Sequence, residues 1–387
     1  MRRRTRIAAV SLVLALTAAG PLAAPAFATP TAAAVGAAAA QHTNGLDTQA
    51  LAAALAGLPD ADATAALVRV GGTDGVWRGS AGVHDLASGA PADPDARFRA
   101  GSTTKVVTAA AVLRLAAEGR IDLDTPIQHY LPGLLGGQFR PITVRQLLNH
   151  TSGIPAGDGL GTTFEEVYAH RFDTLTPQRV AASAGAKQPE FCPGKKQHYL
   201  NINYTFLGLL IEKVTGHSYA SEATRLVLAP AGMRDTYFPG ADPRILGPHN
   251  LGYQAVEKAD GTTEFLDVTE WNQADRFAAG DMISTTVDLE RLVTALFRGR
   301  IVPEPQLEEM FTVPAGIKGA AYSAGLTRFE ADGQVYWVKS GGRYGYNSAV
   351  AATRDLSRTL VYSVNSTDAK SEDANPVVTR IITAALK

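Results

Sequence analysis

The sequence predicts an α/β fold of the α+β kind, in which one antiparallel sheet is built from both ends of the chain. Short strand-like segments occur before residue 84 and again after residue 334, whereas the long stretch between them, about residues 122–307, is mostly helix and turn. Amphipathic segments near both ends predict terminal helices that cover the sheet. We therefore expect a mostly helical region inserted between the two halves of the sheet.

Local patterns predict each element in turn. Apolar residues spaced three or four apart predict helices over about 46–58, 102–118 and 375–385, and short apolar runs predict strands over 65–70, 76–83, 335–339, 347–353 and 359–364. The first two strands flank a Gly-rich segment, residues 71–75, that is typical of a hairpin turn. Gly119 is placed to end the second helix.

The N-terminal residues form a separate segment. Four arginines, an apolar run and the Ala26-Phe27-Ala28 cleavage signal predict a secretory signal peptide over residues 1–28. The apolar run is short for a membrane anchor. Residues 29–45 are Ala-rich and uncharged, which predicts a flexible linker. We expect a folded domain over 46–387, secreted into the extracellular, cell-wall space after cleavage near Ala28, with no stable membrane span.

Composition narrows the function classes. The 387 residues hold 36 Lys and Arg against 37 Asp and Glu, and this net charge of −1 offers no basic excess for binding nucleic acid. The single cysteine, Cys192, cannot form a disulfide framework or a thiolate metal site, and we expect it to be buried. The histidines show no H-x-H or H-E-x-x-H pairing, so we expect no metal or cofactor. The expected partners are small-molecule substrates, bound by a monomer.

The sharpest local feature is Gly101-Ser102-Thr103-Thr104-Lys105 at the start of the second predicted helix. A serine there lies at the positive end of the helix dipole, and Lys105, one turn later, lies on the same face. A desolvated lysine near other cations loses proton affinity and can accept the serine proton. The simpler interpretation is that Ser102 only caps the helix and that Lys105 is solvated.

A second feature is Tyr199-Leu200-Asn201, which precedes another helical segment. Two neighbouring ammonium groups would favour the phenolate of Tyr199, which could then take a proton from Ser102. The amide of Asn201 can contact a substrate carbonyl and a lysine together, because it is both donor and acceptor. Without the other motifs, Asn201 would equally be a turn residue before a helix.

A third feature is Lys339-Ser340-Gly341-Gly342 at the end of a predicted strand. Small residues at a strand let another backbone approach closely, so an extended substrate can add as a further strand. Lys339 adds positive potential beside it. A plain turn after the strand would explain Gly341 and Gly342 equally well.

In this order the three motifs resemble those of the penicillin-recognising serine hydrolases, the group of class C β-lactamases and serine D-alanyl-D-alanine carboxypeptidases. The similarity continues through segments that include ITVRQLLNHTSG (142–153), NYTFLGLLIEKVTGHS (203–218) and AAGDMISTTVDL (278–289), and covers about residues 65–387. The resemblance implies a β-lactamase/transpeptidase-like fold and an acyl-enzyme mechanism.

The resemblance also implies a role for each motif residue. Ser102 would attack the carbonyl of a peptide or lactam, while Lys105 and Tyr199 would move the proton. The oxyanion would lie between the backbone N–H groups of Ser102 and Gly342. Substrate binding would fall to Asn201, Lys339, Ser340 and Gly341.

Two positions depart from the family's patterns. The third motif of the peptidases often begins with His, whereas Lys339 is what class C β-lactamases carry. In the peptidases an arginine directly follows a Tyr-Gly-Leu-Gly-Leu-like strand and contacts the terminal carboxylate. Here YSAGL (322–326) is followed by Thr327, and Arg328 comes one residue later, which reverses its face on a strand. By contrast, the tryptophan at position 271, before AAG, resembles what the secreted carboxypeptidases carry. Trp271 either lines the cleft or only packs against its neighbours.

We therefore expect a secreted serine D-alanyl-D-alanine carboxypeptidase that binds penicillin and acts on peptidoglycan stem peptides. A class C-like β-lactamase and an esterase on the same fold are the alternatives, and a non-catalytic penicillin-binding sensor is a further one. The absence of G-x-S-x-G argues against an α/β-hydrolase nucleophile elbow. Substrate specificity resides in loops that these motifs do not determine.

Overall fold

The computed structural model describes residues 45–386, so the expected signal peptide, residues 1–28, and nearly all of the expected linker lie outside the described residues. The helices are α1 Thr48–Leu55, α2 Thr104–Ala117, α3 Ile127–Tyr130, α4 Val144–Leu148, α5 Phe164–Ala169, α6 Pro177–Gly185, α7 Asn201–Thr215, α8 Tyr219–Ala223, α9 Ala229–Ala231, α10 Thr286–Phe297 and α11 Pro376–Ala385. The strands are β1 Ala63–Gly71, β2 Trp77–Gly82, β3 Phe98–Arg99, β4 Tyr253–Glu257, β5 Thr263–Asp267, β6 Ile283–Ser284, β7 Thr327–Ala331, β8 Gln334–Arg343, β9 Tyr346–Thr353 and β10 Thr359–Ser366.

The main sheet has six antiparallel strands in the order β2-β1-β10-β9-β8-β7. Strand β1 pairs with β10 inside the sheet, so the two ends of the chain meet in one sheet, and this confirms the predicted fold class. Alternate β10 residues face opposite sides because side chains alternate along a strand. Leu360 and Tyr362 pack toward the terminal helices, whereas Val361 packs toward the helical region.

Helices α1 and α11 cover one face of the sheet. Their apolar positions, Leu51 and Leu55 in α1 with Val377 and Ile381 in α11, are almost completely buried together against β1 and β10. The i, i+4 spacing in both helices is what predicted this face. Helix α1 ends at Leu55 rather than at 58, because the Ala56 backbone turns to an extended conformation before Pro59.

Helix α2 is the central helix of the larger core, on the other face of the sheet. Its residues are buried on nearly all sides, which is typical of a core helix rather than of the one-sided pattern we expected. A short 3₁₀ turn, Gly101–Thr103, precedes it, so the regular helix starts at Thr104 and not at Ser102.

Two strand pairs in the region between β2 and β7 were not predicted. The hairpin of β4 and β5 lies inside the stretch expected to be helix and loop, and β3 pairs with β6 next to the 3₁₀ turn. Strand β7 was also not predicted, although it forms the edge of the main sheet. Within residues 45–386, no helix has the length and apolar character needed to cross a bilayer.

Candidate active site

Ser102 lies in the 3₁₀ turn at the start of α2, partly exposed to solvent. The residue before it, Gly101, has a φ of +52°, and a Cβ there would lie 2.7 Å from the backbone N of Gly342. Glycine therefore permits both the left-handed backbone and the close approach of β8. The turn presents the Ser102 hydroxyl where α2 and β8 meet.

Lys105 is fully buried beneath this turn. Its Nζ donates to Ser102 Oγ at 3.0 Å, to Asn201 Oδ1 at 2.7 Å and to the Ala279 carbonyl at 2.7 Å. Burial, reinforced by the nearby Lys339 charge, lowers the pKa of Lys105 to about 8. A fraction of the amine is therefore neutral near physiological pH, within hydrogen-bond distance of the serine hydroxyl.

The Tyr199 ring lies between two ammonium groups. Lys105 Nζ is 5.0 Å and Lys339 Nζ is 4.6 Å from its ring centroid. The Tyr199 hydroxyl is buried and has no hydrogen-bond partner of standard geometry within residues 45–386. A buried hydroxyl without a partner is uncommon, because it has lost hydration without compensation. This one is available to a group that enters the site.

A buried histidine supports the tyrosine. The His150 ring packs at 4.5 Å from the Tyr199 ring, and its Nδ1 faces the Leu200 N–H at 3.4 Å and Asn203 Nδ2 at 3.2 Å. Burial first, and then the Lys105 and Lys339 charges, hold the pKa of His150 well below its usual value. The ring is therefore neutral at physiological pH and can accept these hydrogen bonds while it positions Tyr199.

The Lys-Ser-Gly-Gly segment lies within β8, which extends beyond the predicted strand to Arg343. A Cβ on Gly341 would lie 2.1 Å from the Ala100 carbonyl oxygen and 2.8 Å from the Ser102 backbone N. Only glycine allows the strand to pack this closely on the nucleophile turn. The contact brings the backbone of residues 341–342 beside that of Ser102, the pairing expected for the oxyanion.

The two remaining residues of the third motif differ in exposure. Lys339 is buried, its Nζ donates to the Ser340 carbonyl at 3.0 Å, and burial lowers the pKa of Lys339 to about 7. The Ser340 side chain is exposed on the strand. The structure thus brings the residues of all three predicted motifs to one place, at the junction of α2, α7 and β8.

Three residues discussed from the sequence either lie outside the site or differ in burial from what was expected or allowed. Arg328 is exposed on β7 and forms an ion pair with Glu330 at 2.6 Å. Trp271 is only 2% exposed and stacks on Tyr344 at 4.6 Å, so it packs rather than lining an open cleft. The prediction that Cys192 is buried was wrong, because it lies exposed on the loop that leads to Tyr199.

An aromatic cluster adjoins the end of β8. Tyr344 follows Gly342 by two residues and contacts Trp271 and Phe164, which in turn contacts Tyr168 at 5.4 Å. The half-buried rings of Tyr344, Phe164 and Tyr168 offer an apolar surface beside the oxyanion position, packed on the buried Trp271.

Arg343 fixes the base of this cluster. Its Nη2 donates to Asp275 Oδ1 at 2.7 Å and its Nε to Gln273 Oε1 at 3.0 Å, both in buried surroundings. Burial alone would raise the pKa of Asp275, but Arg343 and Arg276 lower it overall, so the carboxylate is charged. The ion pair joins the loop after Trp271 to β8.

Sequence reasoning did not single out His150, the Ala279 carbonyl or Tyr344. The first two lie in the HTSG and AAGD segments that carried the resemblance, so their position in shared text was the available signal. Nothing in the spacing pointed to Tyr344. Within residues 45–386 no group of three or more His, Cys, Asp and Glu side chains is arranged to hold a metal ion.

Comparison with known proteins gives a consistent picture. A family model described as Beta-lactamase matches residues 32–383. The chain superimposes on the crystal structure of a D-stereospecific amidohydrolase from Streptomyces sp. with a TM-score of 0.75 and 32% identity, over 88% of this chain and 98% of that one.

Two curated proteins are similar over shorter regions. Esterase EstB from Burkholderia gladioli is 33% identical over 205 residues, which is 48% of this chain and 50% of the esterase. Protein flp from Staphylococcus aureus (strain N315) is 31% identical over 216 residues, 55% of this chain. The match spans only 41% of the length of Protein flp.

Proposed function

The chain belongs to the β-lactamase family of serine hydrolases, and from this we propose that it cleaves an amide or peptide bond on the carbonyl side of a D-configured residue. The observation that carries the proposal is the buried amine of Lys105, 3.0 Å from Ser102 Oγ. A nucleophile and a base in hydrogen-bond contact, beside two backbone N–H groups, form the arrangement that acyl transfer requires.

Acylation begins with attack of Ser102 Oγ on the substrate carbonyl. Neutral Lys105 takes the serine proton, directly or through Tyr199, whose hydroxyl is buried beside it. The negative charge that develops on the carbonyl oxygen is stabilised by the backbone N–H groups of Ser102 and Gly342. Tyr199 then returns a proton to the leaving nitrogen, which leaves an ester on Ser102.

Deacylation repeats these steps with water. A water molecule attacks the ester carbonyl and gives its proton to the same Lys105 and Tyr199 pair, and Ser102 recovers its proton as the acid product leaves. Asn201, held by Lys105 at 2.7 Å, has its amide available to orient the acyl group. No cofactor enters this scheme.

The reaction we propose first is D-alanyl-D-alanine carboxypeptidase activity on peptidoglycan stem peptides. The buried ammonium of Lys339, 4.6 Å from the Tyr199 ring, would stabilise the terminal carboxylate of such a substrate. Hydrolysis of simple D-amino acid amides is a second candidate. The ion pair of Arg328 favours it, because this arginine is not free to bind a carboxylate, and similarity to a D-stereospecific amidohydrolase supports it.

The test compares matched substrates with the wild type and with Ser102→Ala. These are an acylated D-Ala-D-Ala dipeptide, its L-Ala-L-Ala counterpart, D- and L-phenylalanine amide, benzylpenicillin and a short-chain p-nitrophenyl ester. Product release is measured by mass spectrometry, and the intact mass of the protein reports an acyl-enzyme. We expect D-selective turnover by the wild type and none by Ser102→Ala.

Other outcomes point to the alternatives. Fast release of penicilloate with no lasting adduct would identify a β-lactamase. Rapid ester cleavage without any D-peptide or D-amide turnover would identify an esterase, the activity for which EstB is named. Turnover of the L-substrates at the same rate would contradict the proposal. Activity that survives Ser102→Ala would contradict the mechanism itself.

We also propose that the protein is secreted. The expected signal peptide supports this, because it carries four arginines before an apolar run and a small-residue cleavage site. When the full chain is expressed in a secreting host, the protein should be found in the culture medium. N-terminal sequencing should show that it starts close to residue 29. Retention in the cell with an intact N-terminus would contradict the proposal.

A further inference from the structure

Among residues 45–386, no strand pairs with one edge of β8 where it passes Ser102. Strand β7 pairs with β8 only from Gln334 to Val338, whereas β9 continues to pair as far as Arg343. The turn that joins Arg343 to Tyr346 has two residues, so Arg343 and Tyr346 form a hydrogen-bonded pair. Counted back from Arg343, every second residue of β8 directs its N–H and C=O groups toward β9. Ser340 and Gly342 are the intervening residues, and their N–H and C=O groups therefore point to the free edge.

An acyl donor that places its carbonyl oxygen on the Gly342 N–H thus lies along this edge. In an antiparallel hydrogen-bonded pair the two residues exchange both bonds. The group on the α-carbon of the acyl residue therefore comes next to the Gly342 carbonyl. An amide nitrogen there would donate to this carbonyl.

The Gly342 carbonyl already has a cationic neighbour. Lys370, in the segment that follows β10, donates from Nζ to this oxygen at 2.6 Å, and its Nζ is 5.9 Å from the Tyr344 ring centroid. Lys370 is exposed as a residue. Desolvation of its ammonium beside this carbonyl, and then the charges of Arg276 and Arg343, lower the pKa of Lys370. The amine can donate to the carbonyl in both protonation states.

The charge around this position is positive. Three cations, Arg276, Arg343 and Lys370, lie here with two carboxylates. Asp275 pairs with both arginines, whereas Asp368 accepts only from uncharged groups, the Lys370 backbone N–H at 3.3 Å and Gln254 at 3.4 Å. Lys105 and Lys339 lie on the other side of the reacting carbonyl. A free α-ammonium on the acyl residue would therefore meet a net positive charge.

We propose that Lys370 is a specificity-determining residue that selects acyl donors whose α-nitrogen is blocked by an acyl group. The amide N–H of such a donor shares the Gly342 carbonyl, which has two lone pairs, and the acyl oxygen beyond it accepts from Lys370. A donor with a free amino group is disfavoured by repulsion. The inference rests on the proposed function, and it assigns the acyl residue to the interior or C-terminal end of a peptide rather than to a free D-amino acid amide.

The experiment compares N-acetyl-D-phenylalanine p-nitroanilide with D-phenylalanine p-nitroanilide, which share one leaving group. At pH 6.5 the free amine is mostly protonated. We expect the wild type to favour the acetylated substrate in kcat/KM by about tenfold or more, and Lys370→Glu to reverse or erase that preference. Lys370→Met should fall between them. Lys258→Met, which removes an exposed lysine on the hairpin after β4, should leave the ratio unchanged.

Each result has one meaning. An unchanged ratio in Lys370→Glu, with circular dichroism like that of the wild type, overturns the role of Lys370. A wild type that prefers the free amine also overturns it. A wild type that cleaves neither anilide and forms no Ser102 adduct with the D-substrates overturns the proposed function instead.

Discussion

Replacing the buried Lys105 with methionine tests whether its amine is the base that takes the proton of Ser102. Methionine keeps much of the apolar stem but removes the amine that contacts Ser102, Asn201 and Ala279. Acylation should be lost, because no other described base touches the serine hydroxyl. In the wild type, kcat/KM should increase with pH and level off above an apparent pKa near 8, the value to which burial lowers the pKa of Lys105.

The same substitution should change how stability depends on pH. The pKa of Lys105 is about 8 in the folded state, against 10.5 for an ordinary lysine. The unfolded chain therefore binds more protons between these values, so the wild type gains stability as pH rises through this window. From pH 7 to pH 9.5 the gain from this one group is about 2 kcal/mol.

Urea unfolding at these two pH values, followed by circular dichroism, measures the effect. The increase should be smaller by about 2 kcal/mol in Lys105→Met than in the wild type. Lys213→Met, at an exposed position near the end of α7, should behave like the wild type. An equal increase in Lys105→Met and the wild type would refute the assignment of this pKa to Lys105. An acyl-enzyme formed at the wild-type rate would refute its role as base.

Three further substitutions test other contacts. Tyr199→Phe should lower kcat/KM about 100-fold or more, measured with the D-Ala-D-Ala peptide, with little loss of stability, because the buried hydroxyl it removes forms no hydrogen bond of standard geometry within residues 45–386. Gly341→Ala should reduce the free energy of unfolding by about 1–3 kcal/mol in the urea assay, because the new methyl clashes with the Ala100 carbonyl. The control Gly137→Ala, which has no atom within 4 Å of the new methyl, should change it by less than about 0.5 kcal/mol. Arg328→Ala should leave KM for the D-Ala-D-Ala peptide within about twofold, since this arginine is exposed and paired on β7, and a large increase in KM would place it in the site.

The sheet could be predicted from sequence where a strand is buried and apolar. All nine residues of β1 and all eight of β10 are buried, and both strands were predicted with ends within two residues. Strand β7 was missed because it is an exposed edge strand whose charged residues carry no apolar signal. The hairpin of β4 and β5 buries only Tyr253 and Gln254 of its strand residues, and the rest are half-buried or exposed, so it also carries little apolar signal.

The site followed from motif order, but its supporting residues did not. The three motifs lie far apart in sequence, and only the known family pattern joined them. His150 packs on the ring of Tyr199, and Lys370 reaches Gly342 from 28 residues further along the chain. Such contacts depend on how separate loops pack, which local periodicity does not encode. The burial of Cys192 was predicted from the usual behaviour of cysteine, and the exposed loop overrode that tendency.

The pairing of β1 with β10 bears on how the protein is made. Thr64 and Asn365, which touch across these strands, are 301 residues apart. A ribosome needs on the order of tens of seconds to add that many residues, and during this time β1 has no partner on its inner edge. Pairings of such long range form late, because the entropy of closing the loop must be overcome first. The nascent chain therefore stays open, and its reactive serine stays unassembled, until synthesis has passed β10.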